Sequence, residues 1–162
     1  MGAADYYLKV GDIKGESEKK LNPEWIEIES FSFGAVQSGT SSHGSGAGAG
    51  KVSFQDFHFT MKMGKATPQL LLQCAIGKHI PKATLEARKA GGKQECFLKV
   101  DFSDVLISSY QTGGSGHSDI VPTDQISLNF SKIEFDYFAQ KKDGTVTSVG
   151  KVGYDIKKNA KV

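Results

Sequence analysis

The run Gly46-Ala47-Gly48-Ala49-Gly50-Lys51 sets a lysine directly behind glycines, the composition of a loop that cradles phosphate. Its spacing excludes that chemistry. Such a loop needs Gly-x-x-x-x-Gly-Lys and then Ser or Thr, whose hydroxyl ligates magnesium. Here Ser45 stands in place of the first glycine and Val52 in place of the hydroxyl. The residues after Lys51 alternate like a strand, whereas phosphate cradling uses the amide-rich start of a helix. Of the four histidines, His43 and His117 lie among glycine and serine, where a solvated imidazole is expected, and His58 and His79 remain. No His-Glu-x-x-His, no Cys/His zinc spacing and no Gly-x-Ser-x-Gly elbow occurs. Glu27, Glu29, Asp56 and Asp136 read as solvent-facing strand carboxylates rather than an acid/base pair. The sequence therefore predicts no catalytic residue, no metal and no cofactor; the chain is not expected to be an enzyme.

The elements that would position any site follow from composition and period. A chain of 162 residues with ten Phe, five Tyr and one Trp can bury one sizeable core, so residues 1–162 are expected to form a single domain. Net charge is +2, and Arg88 is the one arginine among 20 basic residues. Nucleic-acid readers concentrate arginine, whose planar fork matches phosphate and guanine edges, so no nucleic-acid partner is expected. Lys157, Lys158 and Lys161 read as a solvated tail. No apolar run reaches membrane-spanning length, so no membrane insertion is expected, and Met1–Asp5 lacks the basic start of a signal peptide. Cys74 and Cys96 read as buried free thiols.

Period-two alternation runs through Tyr6, Leu8, Val10, through Ala83, Leu85, Ala87, and through Cys96, Leu98, Val100, Phe102. With Gly91-Gly92, Gly113-Gly114-Ser115-Gly116 and Asp143-Gly144 as turns, this predicts a mainly β fold: an antiparallel β-barrel of two sheets. One short α-helix interrupts it, with Thr67 as cap, Pro68 at the first position and Gly77 as the left-handed stop. Its side chains are apolar nearly all round, so it is expected to plug the end or side of the barrel.

Glu24–Phe33 and Val52–Met61 each change apolar face midway, in mirror order. Pairing them antiparallel sets Ile26 against Phe59, Ile28 against Phe57, Phe31 against Phe54 and Phe33 against Val52, with His58 opposite Glu27. The result is a long hairpin whose tip is the loop Ser38–Gly50. Ile126–Tyr137 changes face in the same way. A strand apolar on both faces needs two covers, either a neighbouring subunit or a second packed sheet. The candidate subunit interface is therefore Phe31, Phe33, Phe54, Phe57 and Phe59. Ser30, Ser32, Ser53 and Gln55 form a small uncharged polar patch beside it.

Three stretches resemble the Hcp (haemolysin-coregulated protein) family of bacterial type VI secretion. They are Gly11-Asp12-Ile13-Lys14-Gly15-Glu16-Ser17, Lys65-Ala66-Thr67-Pro68-Gln69-Leu70-Leu71 and Gly77-Lys78-His79-Ile80-Pro81-Lys82-Ala83. So do Arg88-Lys89-Ala90-Gly91-Gly92, Asp104–Ser109, Leu128-Asn129-Phe130 and Gly153-Tyr154-Asp155-Ile156. The resemblance implies a homohexameric ring and stacked rings that form the inner tube, with sheath and spike proteins as partners. It implies small effector proteins held in the lumen, and a chain that stays in the bacterial cytoplasm before being secreted without a signal peptide. Ending at Val162, the chain is expected to lack the fused toxin of longer relatives. On this reading Ser30, Ser32, Ser53 and Gln55 are candidate lumen residues facing cargo, a solvent-facing strand end being the alternative. The ring-stacking loop would then comprise Ser38, Gly39, Thr40, Ser41, Ser42, His43, Gly44, Ser45 and Gly46, together with the residues up to Gly50.

Overall fold

The computed structural model describes residues 3–38, 51–117 and 121–162. The strands are β1 (Ala4–Val10), β2 (Ile26–Ile28), β3 (Ser30–Ser32), β4 (Ala35–Gln37), β5 (Val52–Phe54) and β6 (Phe57–Lys62), followed by helix α1 (Thr67–Ile76). Then come β7 (His79–Lys89), β8 (Cys96–Gly113), β9 (Thr123–Asn129), β10 (Lys132–Gln140), β11 (Val146–Ser148), β12 (Val152–Asp155) and β13 (Ala160–Lys161). Every strand pair is antiparallel. The fold is mainly β with one helix, as the alternation predicts.

One ladder runs β2–β1–β7–β8 and continues from β8 through β9 and β6 to β3. Its first and last strands, β2 and β3, are separated by Glu29 alone. Inside lie Leu8, Ile26, Phe57, Phe59, Leu85, Val100, Phe102, Ile126 and Leu128, each at most 2 % exposed. Phe102 touches both Phe57 and Phe130 at 4.8 Å between ring centroids, so the two halves of the ladder share one core.

The hairpin forms, but not in the expected register. Ile26 and Ile28 lie opposite Leu8 and Tyr6 on β1. Past Glu29 the chain changes partner, and Phe31 lies opposite Phe59 and Ser32 opposite His58. Further out, Ala35 faces Phe54 and Gln37 faces Val52. None of the four expected apolar pairs is made, nor is Glu27–His58. Apolar matching could not choose between Leu8 and Phe59, two apolar partners of equal appeal, and it set Phe31 and Phe57 on opposite faces where their rings stack at 5.8 Å.

The face switches have local causes. Glu29 breaks β2 from β3, and Gln55-Asp56 breaks β5 from β6. Ile126–Tyr137 is two strands with a corner at Phe130-Ser131, opposite Asp104, whose φ is +59°. There β8 passes from pairing β10 to pairing β9. The breaks turn the apolar residues on either side of them toward one core: Phe31 and Phe33 both pack on Phe57, while Glu27, Glu29, Ser30 and Ser32 stay exposed. Phe57 and Phe59 are sealed in the core, so their assignment to a subunit interface is corrected. Phe31, Phe33 and Phe54 are half-buried against that same core, and the switching no longer requires a neighbour for them.

Helix α1 follows its signals with one exchange. Ala66 takes the capping position without a side-chain bond, and Gly77 stops the helix at φ 64°. Thr67 instead accepts from the Gly64 amide (3.0 Å) and donates to Asp124 (2.6 Å). Asp124 is fully buried, and the positive end of the helix dipole favours a carboxylate there. The helix packs Leu70 and Gln73 inward. Leu71, Leu72 and Ile76 are exposed, so only one stripe of α1 packs against the core although its sequence is apolar nearly all round. Cys74 and Cys96 are free but half-buried, and burial raises the Cys96 thiol pKa.

Candidate functional site

Alternation decides which side chains leave the core, and register decides which of them meet. On β3, β6, β9 and the second half of β8 the inward row includes Phe31, Phe59, Ile126 and Tyr110. Their neighbours along each strand point outward. Register then aligns Ser32, His58, Ser127 and Ser109 across four strands, and beside them Ser30, Thr60, Gln125 and Gln111. These eight positions carry hydroxyl, amide or imidazole groups and no Asp, Glu, Lys or Arg. Seven of them line a shallow groove of about 380 Å³, and Ser127 lies buried beneath it.

The wall is held by its own hydrogen bonds. Ser30 and Thr60 share one at 2.6 Å. A β-bulge between Ile107 and Ser109 lets two consecutive β8 hydroxyls reach Ser127, from Ser108 at 2.7 Å and Ser109 at 2.5 Å. Asp56 closes one end, accepting from Ser108 (2.7 Å) and Asn129 (2.9 Å). Behind the wall, burial raises the pKa of Tyr110, and its hydrogen bond to Asp124 adds to the shift.

The opposite half of the ladder is built differently. Across β1, β7, β8 and β10 the outward rows read Lys9–Thr84–Asp101–Glu134 and Tyr7–Glu86–Lys99–Asp136. Thr84 and Lys82 both hold Asp101. Lys151 and then Lys132 hold Glu134 below the usual carboxylate range, Lys151 at 2.8 Å. The molecule thus presents one charged sheet face and one uncharged polar face.

Of the expected lumen residues, Ser30 and Ser32 stand on the uncharged wall. Ser53 and Gln55 do not join them. They are exposed on the arm formed by β4 and β5, where Ser53 faces Val36 and the Gln55 amide donates to Gly34. Sequence reasoning missed Thr60, Gln111, Gln125, Ser109 and Ser127. Their signal was the polar half of the same alternation that revealed Phe59 and Ile126. The stacking-loop residues from Gly39 to Gly46, and on to Gly50, lie outside the described residues. Ser38 is described, and its hydroxyl donates to the Lys51 carbonyl at 3.3 Å. Lys157, expected to be solvated, is bonded to Asp104. Among the described residues no three His, Cys, Asp or Glu gather as metal ligands, and no helix is long and apolar enough to cross a membrane.

The family model of the type VI secretion system effector Hcp matches residues 7–137. The chain belongs to the Hcp family. It is 43% identical over 159 residues to Protein hcp1 of Pseudomonas aeruginosa, covering 97% of this chain and 98% of that one. Among solved structures, one described as a type six secretion system protein superposes with TM-score 0.92 at 26% identity. That match covers 99% of this chain and 100% of that one. Hcp1 from Salmonella typhimurium matches at TM-score 0.79 and 32% identity, covering all of both chains. The Hcp resemblance seen in the sequence is thus confirmed by sequence and by shape.

Proposed function

We propose that this Hcp protein is a structural subunit of the type VI secretion inner tube. Six copies close into a ring, rings stack inside the sheath behind the spike, and the tube is secreted with small effector proteins in its lumen. The protein has a contact role and performs no catalysis. The observation that carries the lumen assignment is the four-strand uncharged wall around Ser30 and Ser32. A surface that must hold varied cargo and then release it is served by many weak hydrogen bonds. Fixed charges would bind some cargoes tightly and repel others.

The test is Ser32→Trp. Ser32 is exposed at the rim of the groove, so the larger side chain has room outward and leaves the core untouched. Negative-stain images are expected to show six-fold rings for both proteins, with a co-expressed small effector retained by the native chain and lost from the variant. Single compact particles from the native protein would reject the ring. Undiminished effector retention by Ser32→Trp rings would reject the wall as the cargo surface.

A further inference from the structure

The charged face carries a second surface that the tube reading leaves unused. Lys9 on β1, Lys99 on β8 and Lys78 just past α1 border a groove of about 480 Å³ beside Trp25. Its other charged groups are mostly engaged: Lys82 with Asp101, His79 with Asp104, and Glu86 with Arg88. Asn22 adds a hydrogen bond to Glu86 at 2.9 Å. Lys9, Lys78 and Lys99 enter no ion pair among the described residues, and Asp12 is the one acid of the groove that also enters none.

Helix α1 adds exposed apolar side chains outside the groove's own lining. Gln73, packed inward, lines the groove. At about 100° per residue, Ile76 follows Gln73 around the helix and Leu72 follows Ile76. Both are exposed, Ile76 at 63% and Leu72 at 49%. Exposed apolar side chains rimmed by polar and charged groups mark partner surfaces. Lysines without arginine suit carboxylates held as point charges better than the planar edges of nucleic acid.

We infer that the groove between α1 and the β1–β7–β8 face docks an acidic amphipathic segment of another protein, its carboxylates on Lys9, Lys78 and Lys99 and its apolar side against Ile76 and Leu72. Trp25 is the chain's sole tryptophan and lies in the groove, so its emission reports occupancy directly. The probe is a synthetic helical peptide with glutamates on one face and leucines on the other, titrated against the full chain. A scrambled peptide of the same composition and an oligo-dT strand serve as controls.

Saturable change in Trp25 emission is expected with the amphipathic peptide. The double variant Lys9→Glu, Lys99→Glu is expected to weaken it at least about tenfold, because both charges become repulsive. Ile76→Ser is expected to weaken it several-fold, while Lys161→Glu, on β13, leaves it unchanged. Circular dichroism checks that each variant is folded; if the double variant is not, Ile76→Ser and the peptide controls decide. Equal binding of the scrambled peptide or the oligonucleotide, no binding by the native chain, or full affinity in the variants would overturn the assignment. Peptide binding is read from Trp25 and ring formation from images, so a failure of either is scored separately.

Discussion

Asp104 sits in the left-handed backbone region, at the corner where β8 changes partner. Its carboxylate gathers three elements. Lys157 from the C-terminal segment bonds it, the Ser131 hydroxyl donates at 2.8 Å, and His79 Nδ1 lies 2.8 Å away. These contacts, the Lys157 hydrogen bond foremost, hold its pKa below the ordinary aspartate value of 3.8. A depressed folded-state pKa favours the folded protein above the unfolded value, and that contribution is lost as pH falls through the folded value. Stability, read as urea midpoint, is therefore expected to drop as pH falls below about 4, with Asp104 contributing to the slope. Asp104→Asn tolerates the same backbone region, so it removes the charge without new strain. The variant should be less stable at neutral pH and flatter through the acid range. An unchanged acid slope would remove Asp104 from the corner's energetics. The sequence marked Asp104 only as the start of an Hcp-like stretch and gave no sign of this role, because its partners come from positions 79, 131 and 157 and only the folded corner unites them.

At the scale of elements, what was legible was parity. Alternation put Ile26 with Ile28, Phe31 with Phe33 and Phe57 with Phe59 on shared faces, as the structure has them. It set Phe31 and Phe54 opposite Phe57 and Phe59, however, whereas all four turn toward one core. Partner choice was not legible, since register depends on where Glu29 and Gln55-Asp56 interrupt the strands, and neither break carries a Gly or Pro signal. That gap hid both the wall, which exists only through cross-strand pairing, and the seating of the β4–β5 arm. A two-stranded ribbon is marginal alone. Phe54, at its root, is held between Phe130 at 6.0 Å and Tyr154 at 5.9 Å, the latter contributed by β12. Tyr154→Ala removes one side of that clamp, a loss of about 1 kcal/mol or more on aromatic-pair energetics. Amide exchange should quicken in Ala35–Gln37 and Val52–Phe54 while the β7–β8 pairing keeps its protection. Uniform quickening across the sheets would show instead that β12 supports the whole core and not the arm.

At the scale of the whole molecule, the arm leads to the segment proposed to join one ring to the next. Gln37 pairs with Val52, and the Ser38–Lys51 contact continues that pairing outward by one step. The segment between them, Gly39–Gly50, is the rest of the proposed ring-stacking loop Ser38–Gly50. Ordering a glycine- and serine-rich segment costs entropy at the moment of docking, so contact through it would keep rings separate until a machine aligns them. Deleting Thr40–Ala49 leaves Gly39 and Gly50 as a two-residue connection between Ser38 and Lys51, which already face one another. Two glycines in that position are what a tight hairpin turn demands, so the variant's own fold is expected to be intact. Rings should therefore form as before, and tubes should be absent in images of the assembled apparatus. If Gly39–Gly50 merely joins two strands, the shortened chain will build tubes of normal length, and the stacking contact must be sought on another surface of the ring.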